Sequence, residues 1–253
     1  MDWILAMAGL GVGALVGLTG VGGGSLMTPF LLFYGIPPAV AVGTDLAYAA
    51  IAKSLGVWLR HKARSVDWWT AFLLMCGSIP AAAAVVVTLK TFAFDAELFG
   101  TVITRVLAVS LVLTSLTVLG QHWLHGFRTG LPEIRGRTGL TVFAGVVLGA
   151  LVTISSVGSG AIGTALLLLL YPRWSTARVV GTDLAYAVPL TATAACGHLW
   201  LGNVDTGYVF SLVVGAIPGM YIGTRMGLRL PEMLVRTVLG VLLFAVGISL
   251  LWK

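Results

Sequence analysis

Two aspartates interrupt otherwise apolar sequence in a way that could support chemistry. Asp45 and Asp183 each lie in the heptapeptide Gly-Thr-Asp-Leu-Ala-Tyr-Ala, which occurs at residues 43–49 and again at 181–187. A carboxyl group in apolar surroundings is costly unless it is paired or protonated. We therefore consider a proton-coupling role for both aspartates, with capping of a nearby helix start as the alternative. The preceding Thr44 and Thr182 carry hydroxyls that could donate hydrogen bonds to a ligand.

Lys53 is a third charged residue in such sequence. It follows Asp45 by eight residues, so the two side chains lie about 80° apart around a helix and could face one cavity. The second copy has Thr191 at the equivalent position, so the charge has no counterpart. Contact with a substrate or counter-ion and snorkelling toward the membrane surface both fit this position. His198, near the end of an apolar region, is interpreted as an interfacial polar residue.

Glycine clusters at residues 20–24 and 155–160 break two other apolar stretches. Glycine allows positive φ and lets a ligand approach the backbone amides. Helices that restart near Ser25 and Ala161 would direct N–H groups toward each break, which favours anions. The candidate substrate contacts at the breaks are Gly22, Gly23, Gly24, Ser25, Ser159 and Gly160. Close helix packing is the alternative role for glycine in membrane helices.

The composition places these residues in an integral membrane protein. Of the 253 residues 58% are hydrophobic and only 9% are charged, whereas soluble domains carry roughly a quarter charged residues. This argues against a soluble enzyme and against a nucleic-acid-binding protein, and the net charge of +6 fits cationic cytoplasmic loops. No Walker-A motif, zinc-ligand spacing, nucleophile elbow or haem motif occurs in the sequence. We therefore expect no enzymatic activity, no metal and no cofactor.

The apolar regions predict an all-α protein built from two repeats in a single domain, residues 1–253. A shift of 138 residues relates the two heptapeptides, and it also relates Val66-Asp67 to Val204-Asp205. Repeat 1 covers residues 1–120, a polar loop covers 121–138 and repeat 2 covers 139–253. The predicted apolar regions are 3–34, 38–59, 67–89, 97–120, 139–171, 175–200, 206–224 and 231–252.

The positive charges predict the orientation of the chain. Cytoplasmic loops are rich in Lys and Arg, and the residues that we place there are Arg60, Lys62, Arg64, Arg128, Arg135, Arg137, Arg173, Arg178, Arg225, Arg229 and Arg236. The first repeat then reaches Arg60 inside, while the equivalent point near residue 201 lies outside, so the repeats are predicted to be inverted. Each repeat would consist of a Gly-broken helical hairpin followed by three transmembrane helices. Whether 3–34 and 139–171 are re-entrant hairpins or paired spans is left open.

With these motifs the chain resembles the sulfite exporter TauE/SafE family of bacterial membrane permeases. The resemblance covers nearly the whole chain. It depends on Gly20-Val21-Gly22-Gly23-Gly24, on Pro29 and Leu31-Leu32, on Gly43-Thr44-Asp45-Leu46, and on the recurrence of the two glycine-containing motifs in the second half. The second half departs from the pattern, because Ser159 stands where the first half has Gly23 and Pro29 has no counterpart.

The resemblance implies transport of small sulfur-containing anions, such as sulfite, thiosulfate or organosulfonates, across the bacterial inner membrane. Inverted repeats independently favour a secondary transporter that works by alternating access. An anion channel with a Gly-lined filter is the alternative. The expected partners are the anion and the lipid bilayer, with no nucleic acid; a homodimer, the coupling ion and the direction of transport are left open.

Overall fold

The computed structural model describes residues 2–19, 24–62, 66–91, 96–128, 136–227 and 232–252. Within these ranges the chain forms ten helices and no strand, as the all-α prediction requires. The helices are α1 (Trp3–Thr19), α2 (Gly24–Phe33), α3 (Pro38–Lys62), α4 (Trp68–Thr91), α5 (Ala96–Arg128), α6 (Arg137–Ser155), α7 (Ala161–Leu170), α8 (Thr176–Trp200), α9 (Thr206–Gly227) and α10 (Glu232–Leu251).

The described helices suit a membrane. Five of them contain segments long and apolar enough to cross it: Trp68–Thr91, Phe99–Gly120, Arg137–Ser155, Thr176–Trp200 and Thr206–Gly223. Large apolar side chains on these helices point outward, among them Phe143 and Phe210. Tryptophans are exposed at helix ends, as at Trp3 and Trp252, where aromatic residues contact the membrane interface. The chain is a multi-pass membrane protein, and many polar side chains of its helices, among them Thr44 and Ser78, are buried.

The second long apolar region is broken, as its glycine cluster predicts: residues 139–171 form α6 and α7. In the first region α1 ends at Thr19 and α2 begins at Gly24, and residues 20–23, which hold most of its glycine cluster, lie outside the described residues. The short helices α2 and α7 have ten residues each, which is about 15 Å of helix and half the hydrocarbon thickness. In the second break the backbone turns through positive φ at Ser156, Gly158 and Gly160.

Two details of the sequence interpretation differ from the structure. The segment 121–138, predicted as a loop, is helical as far as Arg128, because α5 continues past its apolar part. Polar residues end a membrane span but do not by themselves end a helix. His198 is fully buried rather than interfacial, and its Nε2 lies 2.9 Å from the carbonyl oxygen of Thr153.

Helices of the first half pack against helices of the second half. Helix α1 packs against α9, and α6, which holds the same place in the second half, packs against α4. Glycines bring these backbones together: a Cβ on Gly215 of α9 would lie 1.8 Å from the Ala6 carbonyl oxygen, and one on Gly77 of α4 would lie 2.1 Å from that of Val142. Helix α3 packs against α8, and α5 against α10. Each pair therefore joins one half to the other, with α3 and α8 carrying the two copies of the heptapeptide.

Candidate functional site

The side chain of Lys53 reaches the second glycine break. Its Nζ lies 2.5 Å from the hydroxyl oxygen and 3.4 Å from the carbonyl oxygen of Ser159. Both residues are buried, with exposed fractions of 4% and 3%. Lys53 therefore does not snorkel to a membrane surface, and it donates hydrogen bonds to the irregular backbone between α6 and α7.

The two aspartates lie in the same region as this lysine. Asp45 and Asp183 are the eighth residues of α3 and α8, so neither caps the helix that contains it. Both are essentially unexposed, and both carboxyl groups act electrostatically on Lys53. We refer to Lys53, Ser159, Asp45 and Asp183 as the Lys53 cluster. It gathers side chains from both halves of the chain around one break.

Helix α2 adds a residue that sequence reasoning did not identify. The hydroxyl of Thr28 donates a hydrogen bond to Oδ2 of Asp45, while Oδ1 of Asp45 is buried without a partner among the described residues. The sequence contains a signal for Thr28, because Thr164 follows it by 136 residues, which is also the spacing between the glycine clusters. Thr164 instead donates to the Ala161 carbonyl oxygen at 2.9 Å, so the two halves differ here.

Helix α7 leaves space for the second aspartate. A Cβ added to Gly163 would lie 2.0 Å from Oδ1 of Asp183 and 2.7 Å from the hydroxyl oxygen of Tyr186. Only a glycine therefore lets α7 approach this carboxyl group. Tyr48 and Tyr186 each follow an aspartate by three residues and share its helix face. Both tyrosine hydroxyls are buried, and that of Tyr186 lies on the side of α7 that faces the Asp183 carboxyl group.

The threonines of the heptapeptides contact the starts of helices in the other half of the chain. The hydroxyl of Thr44 accepts a hydrogen bond from the backbone N–H of Asp205 at 3.2 Å, and that of Thr182 accepts one from Asp67 at 2.9 Å. Asp205 and Asp67 cap α9 and α4, since their carboxylates accept from the backbone N–H groups of Tyr208 and Thr70. Each heptapeptide is thus bonded to a helix start of the other half.

One of these helix starts carries an ion pair. Arg178 in α8 donates to Oδ2 of Asp67, and its guanidinium lies 4.3 Å from the ring centre of Trp174. Burial raises the pKa of Asp67, but the hydrogen bonds from Arg178 and Thr70 outweigh it and hold the pKa below its ordinary value. The position equivalent to Arg178 in the first half is Val40, so only one of the two helix starts is tied in this way.

Comparison with known proteins identifies the family of the chain. Residues 5–250 match the family described as Sulfite exporter TauE/SafE. The chain belongs to the sulfite exporter TauE/SafE family. It is 32% identical to the probable membrane transporter protein YjnA of Bacillus subtilis (strain 168), over 99% of this chain and 100% of the relative. No solved structure gives a significant match.

More distant relatives of this TauE/SafE protein carry the same description. A probable membrane transporter protein of Xylella fastidiosa (strain 9a5c) is 26% identical, over 96% of this chain and 92% of the relative. One from Methanocaldococcus jannaschii is 22% identical, over 98% of this chain and 94% of the relative. The family and these relatives are named as transporters rather than as enzymes, and the matches span nearly the full chain.

Part of the predicted site of this TauE/SafE protein lies outside the described residues. Gly22 and Gly23 are not described, and Gly24 and Ser25 are seen only as the start of α2. Gly160 closes the second break directly before α7. The described residues contain no group of three His, Cys, Asp or Glu side chains that could hold a metal ion. The described part of the site therefore offers an ammonium group, two carboxyl groups, hydroxyls and the start of a helix.

Proposed function

We propose that this TauE/SafE protein is a secondary transporter that moves a small sulfur-containing anion, such as sulfite, thiosulfate or an organosulfonate, by alternating access. The observation that carries the proposal is the contact between Lys53 and Ser159, which holds a buried positive charge at a glycine break. The Lys53 ammonium group donates to two uncharged oxygens of Ser159. An anionic oxygen of the substrate can replace one of them, because a hydrogen bond between two charged groups is stronger.

The predicted substrate contacts surround that charge. At the start of α7 the N–H groups of Gly163 and Thr164 donate to the carbonyl oxygens of Gly158 and Gly160. The N–H groups of Ala161 and Ile162, directly after Ser159 and Gly160, form the anion-attracting end of the helix. Gly22, Gly23, Gly24 and Ser25 would supply the equivalent end at α2. In this proposal Thr44 and Thr182 contribute from the neighbouring heptapeptides, each keeping one hydroxyl hydrogen available for donation while the oxygen accepts from Asp205 or Asp67.

The balance of charges supports proton coupling. The Lys53 cluster contains one ammonium group and two carboxyl groups, so an anion that enters it meets negative charge as well as positive. A proton taken up by Asp45 or Asp183 would remove that repulsion. It would also offset the cost of carrying an anion into a negative interior, roughly 2.3 kcal/mol per charge per 100 mV. Export does not carry that cost, so coupling matters mainly for uptake or exchange.

Two equivalent hydrogen bonds between the halves support a mechanism based on inverted repeats. Thr44 bonds the start of α9 and Thr182 bonds the start of α4, so the same contact occurs twice with the halves interchanged. In inverted repeats two such hydrogen bonds lie on opposite sides of the membrane. Rocking of one repeat against the other would break the bond on one side while the bond on the other side remains. We place both termini outside, residues 121–138 inside, and the protein in a bacterial inner membrane.

Uptake into proteoliposomes tests the function directly. Purified protein in phosphatidylcholine vesicles should accumulate ³⁵S-labelled thiosulfate above its external concentration when the outside is more acidic than the inside. Unlabelled thiosulfate inside the vesicles should accelerate entry of external label by exchange. Valinomycin with equal potassium on both sides holds the voltage at zero in both assays. Under that clamp an anion channel would only equalise the thiosulfate concentrations, and unlabelled thiosulfate inside would not accelerate the entry of label. No uptake of thiosulfate, sulfite or taurine under any gradient would contradict the proposal.

A further inference from the structure

A cavity lies at the end of the bundle where α2 ends and α5 begins. Its volume is about 560 Å³. Its walls include Pro37 and Pro38 from the α2–α3 connection and Thr101, Thr104 and Arg105 from α5. No residue of the Lys53 cluster lines it. The cavity is therefore separate from the site described above.

Arg105 is an unusual residue for this place. It lies six residues into the apolar segment Phe99–Gly120, about 9 Å along the helix. An arginine at such a depth is costly unless it faces water or a partner. Arg105 is exposed and lines the cavity, and it is the single formally charged side chain among the described residues that do so. Arg105 thus supplies a positive charge to the described wall of the cavity.

Apolar packing connects the cavity to the second break. Leu32 and Leu250 line the cavity. Both pack in an apolar cluster that also contains Leu107 from α5 and Val157 from the break itself. One continuous apolar cluster therefore contacts both the cavity and the second break.

We infer that this cavity binds an oxyanion group, with the Arg105 guanidinium as its charged contact. A guanidinium presents a fork of N–H donors that matches sulfonate, sulfate or phosphate oxygens. A free anion on its way to the central site and the phosphate of an anionic lipid offer this same chemistry. The role of the cavity as an entry to the transport path rests on the proposed function, whereas the binding itself does not.

Thiol labelling tests the charge of the cavity without requiring transport. Thr104→Cys, or Thr101→Cys as a second position, is made in a background where the free and exposed Cys76 and Cys196 are replaced by serine. The protein is placed in phosphatidylcholine nanodiscs and treated with an anionic or a cationic methanethiosulfonate reagent of similar size. Arg105→Gln should lower the anionic-to-cationic rate ratio about tenfold, as expected for the loss of one nearby charge. Arg105→Lys should leave the ratio within about threefold.

Protection from the anionic reagent identifies what binds. Sodium methanesulfonate is the free-anion probe, because sulfite itself reacts with thiosulfonates, and phosphatidylglycerol added to the nanodiscs is the lipid probe. Slower labelling with either probe, lost in Arg105→Gln, supports the inference and names the source of the group. An unchanged rate ratio in Arg105→Gln, or no protection by either probe, overturns it. Failure of wild-type protein to transport in vesicles would refute the proposed function and leave these labelling results standing.

Discussion

Lys53 of α3 donates a hydrogen bond to the hydroxyl of Ser159, although 106 residues separate the two in the sequence. This contact ties a helix of the first half to the glycine break of the second half. It also brings the single lysine of the site within electrostatic reach of both Asp45 and Asp183. Binding of an anion at Lys53 and binding of a proton at Asp45 or Asp183 would consequently affect each other.

The aspartates should control the pH dependence of transport more than the affinity for the anion. Asn at position 45 keeps an oxygen that accepts from Thr28, but it cannot take up a proton. We expect Asp45→Asn to remove most of the stimulation of vesicle uptake by external acid, while apparent affinity changes by less than about threefold, or ~0.7 kcal/mol. Asp183→Asn should act in the same direction. Wild-type pH dependence in both variants would show that the carboxyl groups are structural.

The crossed hydrogen bonds between the halves should contribute to stability. Thr182→Val keeps the side-chain shape but leaves the backbone N–H of Asp67 without its acceptor, which costs about 1–3 kcal/mol. The melting temperature in detergent should fall by several degrees. Thr88→Val is the matched control, because the Thr88 hydroxyl only donates to the Ala84 carbonyl of its own helix. Equal melting temperatures for the two variants would mean that the crossed bond contributes nothing.

Packing of α1 on α9 should depend on a glycine at position 215. A Cβ there would lie 1.8 Å from the Ala6 carbonyl oxygen, so Gly215→Ala must push the two backbones apart at a cost of about 1–3 kcal/mol. Gly11→Ala on α1 meets nothing within 4 Å and should leave stability unchanged or slightly raised, since alanine favours helix. The melting temperatures of the two variants, measured as loss of the monodisperse peak in size-exclusion chromatography after heating, test this difference. A Gly215→Ala protein as stable as Gly11→Ala would contradict this packing.

The ion pair at the start of α4 should stabilise the protein only above acidic pH. The pKa of Asp67 is lowered in the folded protein, so its contribution is present above the ordinary value near 4 and is lost as the pH falls through the folded value. Asp67→Asn keeps a capping side chain and should cost no more than about 1 kcal/mol at pH 7, because Arg178 is half-exposed. The difference from wild type should shrink between pH 5 and pH 3. A difference that persists undiminished at pH 3 would exclude the ion pair as its cause.

Local sequence features predicted much of the helix order. The second glycine cluster separates α6 from α7, because glycine tolerates the backbone angles seen at Gly158 and Gly160. Apolar runs identified the long helices, and charged residues in apolar sequence identified Asp45, Asp183 and Lys53. The end of α5 was misplaced because hydropathy reports the membrane boundary and not the helix boundary.

Contacts between distant residues were not available from the sequence. Helical periodicity gives the direction of a side chain but not the helix that it meets, so neither the partner of Lys53 nor that of Asp45 could be predicted. The spacing of eight residues suggested that Lys53 would face Asp45, and the structure adds Asp183 from the other half. Thr28 was overlooked because an isolated threonine in an apolar helix carries no signal apart from its repeat in the second half.

Equilibrium binding to a Lys53 variant tests the central claim most directly. The ligand is ³⁵S-labelled thiosulfate or sulfite, whichever the wild type binds, measured on purified protein in nanodiscs. Lys53→Met should weaken binding at least tenfold, because a charged hydrogen bond contributes about 1.5–3 kcal/mol, and Lys53→Arg, which keeps the charge, should retain part of the affinity. Lys90→Met is the control, since Lys90 lies over the ring of Trp200 and outside the cluster, and it should bind as wild type. Wild-type affinity in a folded Lys53→Met protein would contradict the account.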